Sequence, residues 1–225
     1  MKKSLLIASA FAAVSFLYTP ATEANCTVPP SVVSNQLSDQ EQKAIEWVKS
    51  LELTDKAKEE RVIDIVAEHL TAVKTWHDEH PGSAVPAGVN PRTGEKLTEL
   101  DRQMIADSAM PESVHENLMN GLRKELTEEQ VEAILDKYTV GKVDFTMRGY
   151  YAIVPDLTDE EAAVILGHLK EAREMAVDYK QMKEISAIFE IYKTKCEKYL
   201  NSNGRDWHQL YKAFVKKIKE EKNKK

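Results

Sequence analysis

A short helix-start signal recurs through this chain and restricts its fold more than any other feature. In each copy, a leucine precedes Ser or Thr, acidic or amide residues follow, and an apolar helical pattern comes next. At three starts the pattern is a capping box, in which a hydroxyl and a side chain three residues later bond each other's backbone N–H groups. These boxes are Ser38 with Glu41, Thr127 with Gln130, and Thr158 with Glu161.

Apolar stripes at helical spacing follow these starts. Val62, Val66 and Val73 share one face of a long helix predicted over 54–79, which ends at Pro81. Further helices are predicted over 38–52, 98–108, 112–125 and 128–138, after Thr158, and from Asp206 onward. We therefore predict an all-α fold, an irregular multi-helix bundle.

Two stretches interrupt the helical pattern. Residues 81–96 are rich in Pro and Gly and are predicted to form an exposed loop with a functional or disordered role. Residues 139–155 carry two glycines and many β-favouring residues, and periodicity leaves a short helix, a hairpin or irregular chain open. We predict an irregular or short β segment there. Residues 25–225 are predicted to form one helical domain, with two subdomains meeting near 81–96 as an alternative.

The N-terminus has the features of a secretory signal peptide. Met1-Lys2-Lys3 is cationic, residues 5–18 are almost all apolar, and Thr22-Glu23-Ala24 places small residues at a cleavage site. We predict cleavage after residue 24 and a periplasmic or secreted protein. The apolar run of about fourteen residues is shorter than the roughly 20 that span a bilayer, so no stable membrane insertion is expected after cleavage.

Charge and motifs exclude several functions. The chain has 31 basic and 37 acidic residues and a net charge of −6, which disfavours nucleic acid as a partner. It contains no Gly-X-Ser-X-Gly elbow, phosphate loop or dinucleotide fingerprint. We therefore predict no cofactor and favour a binding protein over an enzyme.

The chain has two cysteines, Cys26 and Cys196. An oxidising compartment would allow them to pair, and the disulfide would stabilise the fold by ~4–5 kcal/mol in the entropic model. Alternatively, Cys196 is a core residue, because it lies on an apolar helical stripe with Phe189 and Tyr192. Both interpretations stay open at this point.

Polar residues concentrate at the end of the long predicted helix. His77 and His80 are three residues apart, and Asp78 is near enough to help bind a divalent metal. A solvated helix end, favoured by the helix macrodipole, is the simpler interpretation. We therefore predict no metal site, and keep His77 and Asp78 as candidates for ligand binding.

Two further groups have the chemistry of a site. Glu171 and Arg173 lie within one turn of a helix, where carboxylates can act in catalysis but more often form an ion-paired surface. Tyr150 and Tyr151 are suited to stacking on sugar rings, and because they are adjacent, one of them is expected to be exposed.

Several segments of the second half resemble a known family. They are 126–131, 138–141, 155–158, 171–176 and 192–200. In this order they are similar to an exported bacterial family, domain of unknown function 3826, over about residues 38–216. His77-Asp78 matches a recurring pair, whereas 179–183 departs from a Gly/Ser-rich turn. The resemblance implies no established activity, but carbohydrate binding has been suggested for the family.

These observations predict an exported, carbohydrate-associated binding module with a glycan or oligosaccharide as its partner. Helix starts of this kind also mark small helical periplasmic chaperones, so a stress or chaperone-like protein is the first alternative. A hydrolase using His77 and a carboxylate is the second. The predicted ligand-binding residues are His77, Asp78, Tyr150, Tyr151, Glu171 and Arg173.

Overall fold

The computed structural model describes residues 37–91 and 93–223, and in them the chain forms nine α-helices, one 3-10 helix (Gly82–Ala84) and no strand. The all-α prediction is confirmed. None of the described helices combines the length and apolar character that a bilayer crossing requires. The predicted signal peptide and Cys26 lie outside the described residues. The helices are α1 (Asp39–Lys49), α2 (Lys56–Glu79), α3 (Glu99–Asp107), α4 (Glu112–Glu125), α5 (Glu128–Thr139), α6 (Lys142–Ile153), α7 (Asp159–Ala176), α8 (Met182–Ser202) and α9 (Trp207–Asn223).

Side chains cap the N-termini of α1, α2, α3, α5 and α7. Ser38, Thr127 and Thr158 each accept a hydrogen bond from the backbone N–H three residues later, in the predicted capping boxes. Thr98 does the same at the start of α3, and the cap of α2 is Asp55. Because these caps satisfy backbone donors locally, the helix starts follow from a few residues of sequence.

Most of the segment over 139–155 is helical, from Lys142 to Ile153, which corrects the prediction of an irregular or short β segment. Val140 and Gly141 both adopt left-handed backbone angles, with φ of 54° and 65°. The Gly141 N–H donates to Asp136 O at 3.0 Å, as in a Schellman motif that ends a helix. The chain then starts α6 at once, so the break in pattern is a two-residue turn between helices.

Tertiary burial explains why α6 is helical despite its β-favouring composition. Val143, Met147 and Tyr150 are spaced by four and three residues, and all three are buried. Propensity is a weak preference, and burying a continuous apolar face overrides it.

Between α2 and α3, the Pro/Gly-rich stretch is packed against α3 at its start. A Cβ on Gly82 would lie 2.6 Å from the backbone nitrogen of Gln103, so only glycine allows this approach. The Gly82 N–H donates to Gln103 Oε1 at 2.6 Å. Farther along, Val89 and Lys96 form an isolated antiparallel bridge.

The buried apolar residues form two clusters. The first joins α1, α2, α4 and α5, with Val48, Val66, Leu122 and Ile134 at its centre. The second joins α6, α7 and α8. Val177, which follows α7, packs into the first cluster, so the turn between α7 and α8 reaches across to the first set of helices.

Cys196 lies in the second cluster, with its Sγ 4.0 Å from Ile165 O. Burial raises the pKa of the Cys196 thiol to about 11. A thiol in these surroundings packs like a small apolar side chain. Because Cys26 lies outside the described residues, the disulfide stays a prediction.

Candidate functional site

The turn between α7 and α8 places polar side chains against α2. Asp178 accepts a hydrogen bond from His69 Nε2 at 3.1 Å, and Lys180 forms an ion pair with Asp78. Helix α8 begins two residues after Lys180, at Met182. Two polar clusters form along this contact, one around Asp178 and one around His77.

In the first cluster, Asp178 joins α2 to α4. His115 Nδ1 donates to Asp178 Oδ2 at 2.8 Å, and Tyr138 donates to His69 Nδ1 at 3.1 Å. Hydrogen bonding to Asp178 raises the pKa of His115. Burial opposes ionisation of Asp178, but the bonds from His115 and His69 outweigh it and lower its pKa. This cluster therefore holds Asp178 as a charged carboxylate.

The second cluster brings together side chains from three helices. His77 Nδ1 in α2 donates to Oδ2 of Asp107, the last residue of α3, at 3.0 Å. Glu184 in the first turn of α8 places Oε1 4.0 Å from the same nitrogen. Trp76 Nε1 donates to Ala106 O at 3.1 Å, which joins α2 to the end of α3. All three ionisable groups are buried, so the solvated helix end predicted for this region is wrong for His77.

Two glutamines surround this cluster. Gln103 donates from Nε2 to Asp107 Oδ1 at 3.0 Å and to His80 O at 3.2 Å. Gln181 donates from its side-chain amide to His77 Nε2 at 2.7 Å. Both nitrogens of His77 are therefore held, and the ring has a fixed orientation.

Glu184 is the most buried member of the cluster. Its Oε2 accepts from the backbone N–H of Gln181 at 2.8 Å, whereas its Oε1 is buried and has no hydrogen-bond partner. Burial raises the pKa of Glu184. A buried carboxylate oxygen without a partner is rare in folded proteins and marks this position as unusual.

Away from these clusters, α6, α8 and α9 enclose a cleft of about 570 Å³. Trp207 lines the cleft, and its ring centroid lies 5.3 Å from that of Tyr150 and 6.1 Å from that of Tyr211. Tyr150 also lines the cleft but is largely buried, and it donates to Lys193 O at 3.4 Å, while the lining residues Phe145 and Tyr211 are exposed. The cleft therefore has an aromatic wall.

Charged side chains of both signs line the same cleft. Glu190 and Glu197 are seven residues apart on α8, and Lys193 between them pairs with Glu190 at 2.8 Å. Arg148 approaches from α6. Partial burial raises the pKa of Glu197. The cleft lining therefore offers hydrogen-bond donors and acceptors as well as aromatic side chains.

The six residues predicted to bind a ligand lie in separate surroundings. His77 is buried in its cluster, whereas the neighbouring Asp78 is exposed and pairs with Lys74 at 2.8 Å. Tyr150 lines the cleft, and Tyr151 is exposed outside its lining residues.

The remaining two predicted residues lie on α7. Glu171 is exposed, with a carboxylate oxygen 3.7 Å from His168 Nδ1. Arg173 is buried and donates to Asp136 of α5 at 2.8 Å. The structure thus does not bring the six together, and of them only Tyr150 lines the cleft.

Sequence reasoning missed the partners that give His77 its surroundings. Asp107, Glu184 and Gln181 come from α3, α8 and the turn before α8, and no spacing in the chain relates them to His77. The Gln181…Glu184 spacing predicts at most a helix start. The cleft residues on α8 and α9 were missed for the same reason, because helix packing alone brings them together.

By fold, this is a helical protein with an aromatic-lined cleft and buried polar clusters between helices. The chain belongs to a protein family of unknown function, DUF3826, whose family model matches residues 37–220. The resemblance expected from the sequence is confirmed at the level of the family. No protein with a curated description matches the chain.

Proposed function

We propose that this protein is a glycan-binding module whose ligand site is the cleft between α6, α8 and α9. The carrying observation is that the aromatic side chains of Tyr150, Trp207 and Tyr211 line the same cleft as charged residues of α8. Sugar rings present apolar C–H faces and a rim of hydroxyls, so a site for them needs an apolar platform with polar groups around it. This cleft supplies both.

The size and openness of the cleft agree with a small ligand. Its volume of about 570 Å³ lies within the range of roughly 300–1,000 Å³ that is typical of ligand pockets. Tyr150 and Trp207 pack on the second apolar cluster, so part of the platform is rigid before any ligand binds.

Charge balance favours a neutral sugar over a strongly anionic one. Glu190 and Lys193 already form an ion pair, and Glu197 and Arg148 add one charge of each sign. Neutral hydroxyls both donate and accept hydrogen bonds, so they match such a mixed lining. We therefore expect neutral oligosaccharides to bind more tightly than polyuronates.

A glycan array of plant and host polysaccharides, followed by calorimetric titration of the best ligand, tests the proposal. Tyr211→Ala should weaken binding roughly 2- to 12-fold, which corresponds to about 0.5–1.5 kcal/mol for one aromatic contact. Tyr151→Ala is the matched control, because Tyr211 and Tyr151 are 50% and 52% exposed and only Tyr211 lines the cleft. Absence of binding across the array would refute the proposal.

A second test fills the cleft with a new side chain and removes no existing contact. Gly149 lines the cleft on α6, and a Cβ there would meet no atom within 4 Å. Gly149→Gln should therefore fill part of the cleft, keep or raise helix stability and reduce affinity. Gly167→Gln on α7 is the control, since a Cβ at Gly167 also meets nothing and the residue is outside the cleft. Equal affinities for both variants would contradict this location of the site.

The two other functions predicted from the sequence stay predictions. A chaperone-like protein should suppress aggregation of an unfolded client, which a light-scattering assay measures. A hydrolase using His77 needs a carboxylate beside it, and Asp107 lies 3.0 Å away, although both side chains are buried. Turnover of chromogenic ester and glycoside substrates, compared between the wild type and His77→Gln, tests that alternative.

A further inference from the structure

The buried cluster of His77, Asp107 and Glu184 has a geometry that a hydrogen-bond network alone does not explain. One ligand atom from each residue lies within 4.8 Å of the other two. The three side chains are 9%, 3% and 0% exposed, respectively, so bulk water does not solvate them. They come from α2, α3 and α8, and only the complete fold assembles them.

The cluster has fewer cationic than anionic groups. Asp107 and Glu184 are both carboxylic acids, and the imidazole of His77 is the single basic group within ion-pair distance of them among the described residues. No lysine or arginine in that part of the chain forms an ion pair with either carboxylate. Two buried carboxylates beside one imidazole favour a further compensating cation, which is either a proton or a metal ion.

The free oxygen of Glu184 indicates where such a cation would lie. Oε2 is held by the backbone N–H of Gln181, while the buried Oε1 has no partner and faces His77 Nδ1 across 4.0 Å. Asp107 Oδ2 lies 3.0 Å from the same nitrogen, and the ligand atoms of the three residues lie within 4.8 Å of one another. Three potential ligand atoms therefore surround one point.

We propose that His77 Nδ1, Asp107 Oδ2 and Glu184 Oε1 bind one divalent transition-metal ion, with Zn²⁺ as the first candidate. One imidazole nitrogen and two carboxylate oxygens suit zinc and its first-row neighbours. Metal–ligand bonds of about 2.0–2.2 Å place neighbouring ligand atoms about 3.0–3.5 Å apart. The His77–Asp107 distance of 3.0 Å already fits, and the His77–Glu184 distance of 4.0 Å comes into this range when it shortens by about 0.5–1 Å.

The surrounding residues support metal binding at this nitrogen of His77. When Nδ1 binds a metal, the ring carries its proton on Nε2 and needs an acceptor there. Gln181 lies 2.7 Å from Nε2, and a half-turn of its amide presents Oε1 in place of Nε2. Gln103 holds the other oxygen of Asp107 and is itself fixed by Gly82. Each ligand therefore has an outer partner that orients it.

The experiment uses the purified protein after treatment with a chelator. Titration with ZnCl₂, followed by calorimetry and thermal unfolding, should show one ion bound per chain and a higher midpoint of unfolding. Glu184→Gln keeps the side-chain shape and should weaken zinc binding more than about 100-fold, beyond the 10–100-fold typical of outer partners. Equal zinc affinity of Glu184→Gln and the wild type would overturn the proposal.

Glu161→Gln is the matched control. Glu161 holds the same capping-box position in α7 that Glu184 holds in α8, and it is also buried. Since it lies outside the cluster, this variant should bind zinc like the wild type. A similar loss of zinc affinity in both variants would mean that capping, and not ligation, explains the effect, and would overturn the proposal.

Crystals of the unmodified protein soaked in ZnCl₂ give a test that needs no variant. Anomalous scattering should place the ion about 2.0–2.2 Å from the His77, Asp107 and Glu184 ligand atoms. Zinc found only at surface histidines, or absent, would show that a proton neutralises the cluster, and the proposal would be wrong. Neither result bears on the glycan proposal, because the cleft shares no residue with this cluster.

Discussion

His115 shows how one side chain makes stability depend on pH. In the fold it donates to Asp178 and lies 3.8 Å from Glu174, and the bond to Asp178 raises its pKa above the ordinary value of 6.5. A histidine whose pKa is raised on folding contributes its full stabilisation below about pH 6.5, the unfolded-state pKa. This contribution is lost as the pH rises through the folded-state pKa. Protonated His115 is therefore the stabilising form.

The prediction is that His115→Gln destabilises the protein more at low pH than at high pH. Urea unfolding of both proteins between about pH 6 and pH 9 measures the difference, which should shrink as pH rises. His208→Gln is the control, because His208 in α9 forms no ion pair among the described residues. A difference between wild type and His115→Gln that stays constant with pH would contradict the argument.

For individual residues, the sequence predicted the relative direction of adjacent side chains better than it predicted their interaction partners. Tyr150 and Tyr151 were expected to point different ways, and the structure buries the first and exposes the second. Arg173 was a candidate ligand residue, but the structure pairs it with Asp136 of another helix. Adjacent residues differ in direction by local geometry, whereas a pairing across helices depends on packing that no local pattern encodes.

Among the secondary-structure elements, the boundary between α5 and α6 is the feature that sequence patterns predicted least well. Val140 adopts φ 54° and ψ 44°, a left-handed conformation that is unfavourable for a β-branched residue. Its side chain is 72% exposed, so little packing offsets this cost. The turn is kept because the helices on either side of it both bury an apolar face.

Val140→Asn should therefore stabilise the protein by up to about 1 kcal/mol, because Asn tolerates the left-handed conformation better. Chemical denaturation with urea measures the change in the free energy of unfolding. Ile191→Asn is a control at an exposed, β-branched position inside α8, where Asn has no such advantage and should be neutral or destabilising. Destabilisation by Val140→Asn would contradict strain at this turn.

The two apolar clusters are joined at the scale of the whole molecule by polar contacts as well as by Val177. Arg173 of α7 belongs to the helices of the second cluster, and its partner Asp136 lies on α5 of the first. The arginine is buried and its partner is partly exposed. Removal of the arginine leaves an uncompensated carboxylate between the clusters.

Arg173→Leu should lower the free energy of unfolding by about 2 kcal/mol, less than for a fully buried pair because Asp136 keeps contact with solvent. Arg123→Leu is the control, since Arg123 and Glu174 pair at 3.3 Å with both side chains exposed, and it should cost under about 1 kcal/mol. Thermal and urea unfolding measure the change in the free energy of unfolding for both variants. Equal costs would mean that the Arg173 pair does not join the clusters.

Helix content and most helix starts follow from the chain alone, because capping and apolar periodicity act within a few residues. Ser38, Thr127 and Thr158 begin helices where the pattern predicts them. The cleft around Trp207 and the cluster of His77, Asp107 and Glu184 were decided only by tertiary packing. Their members are up to about a hundred residues apart in the chain, and the burial of apolar helix faces, which is non-directional, brings them together.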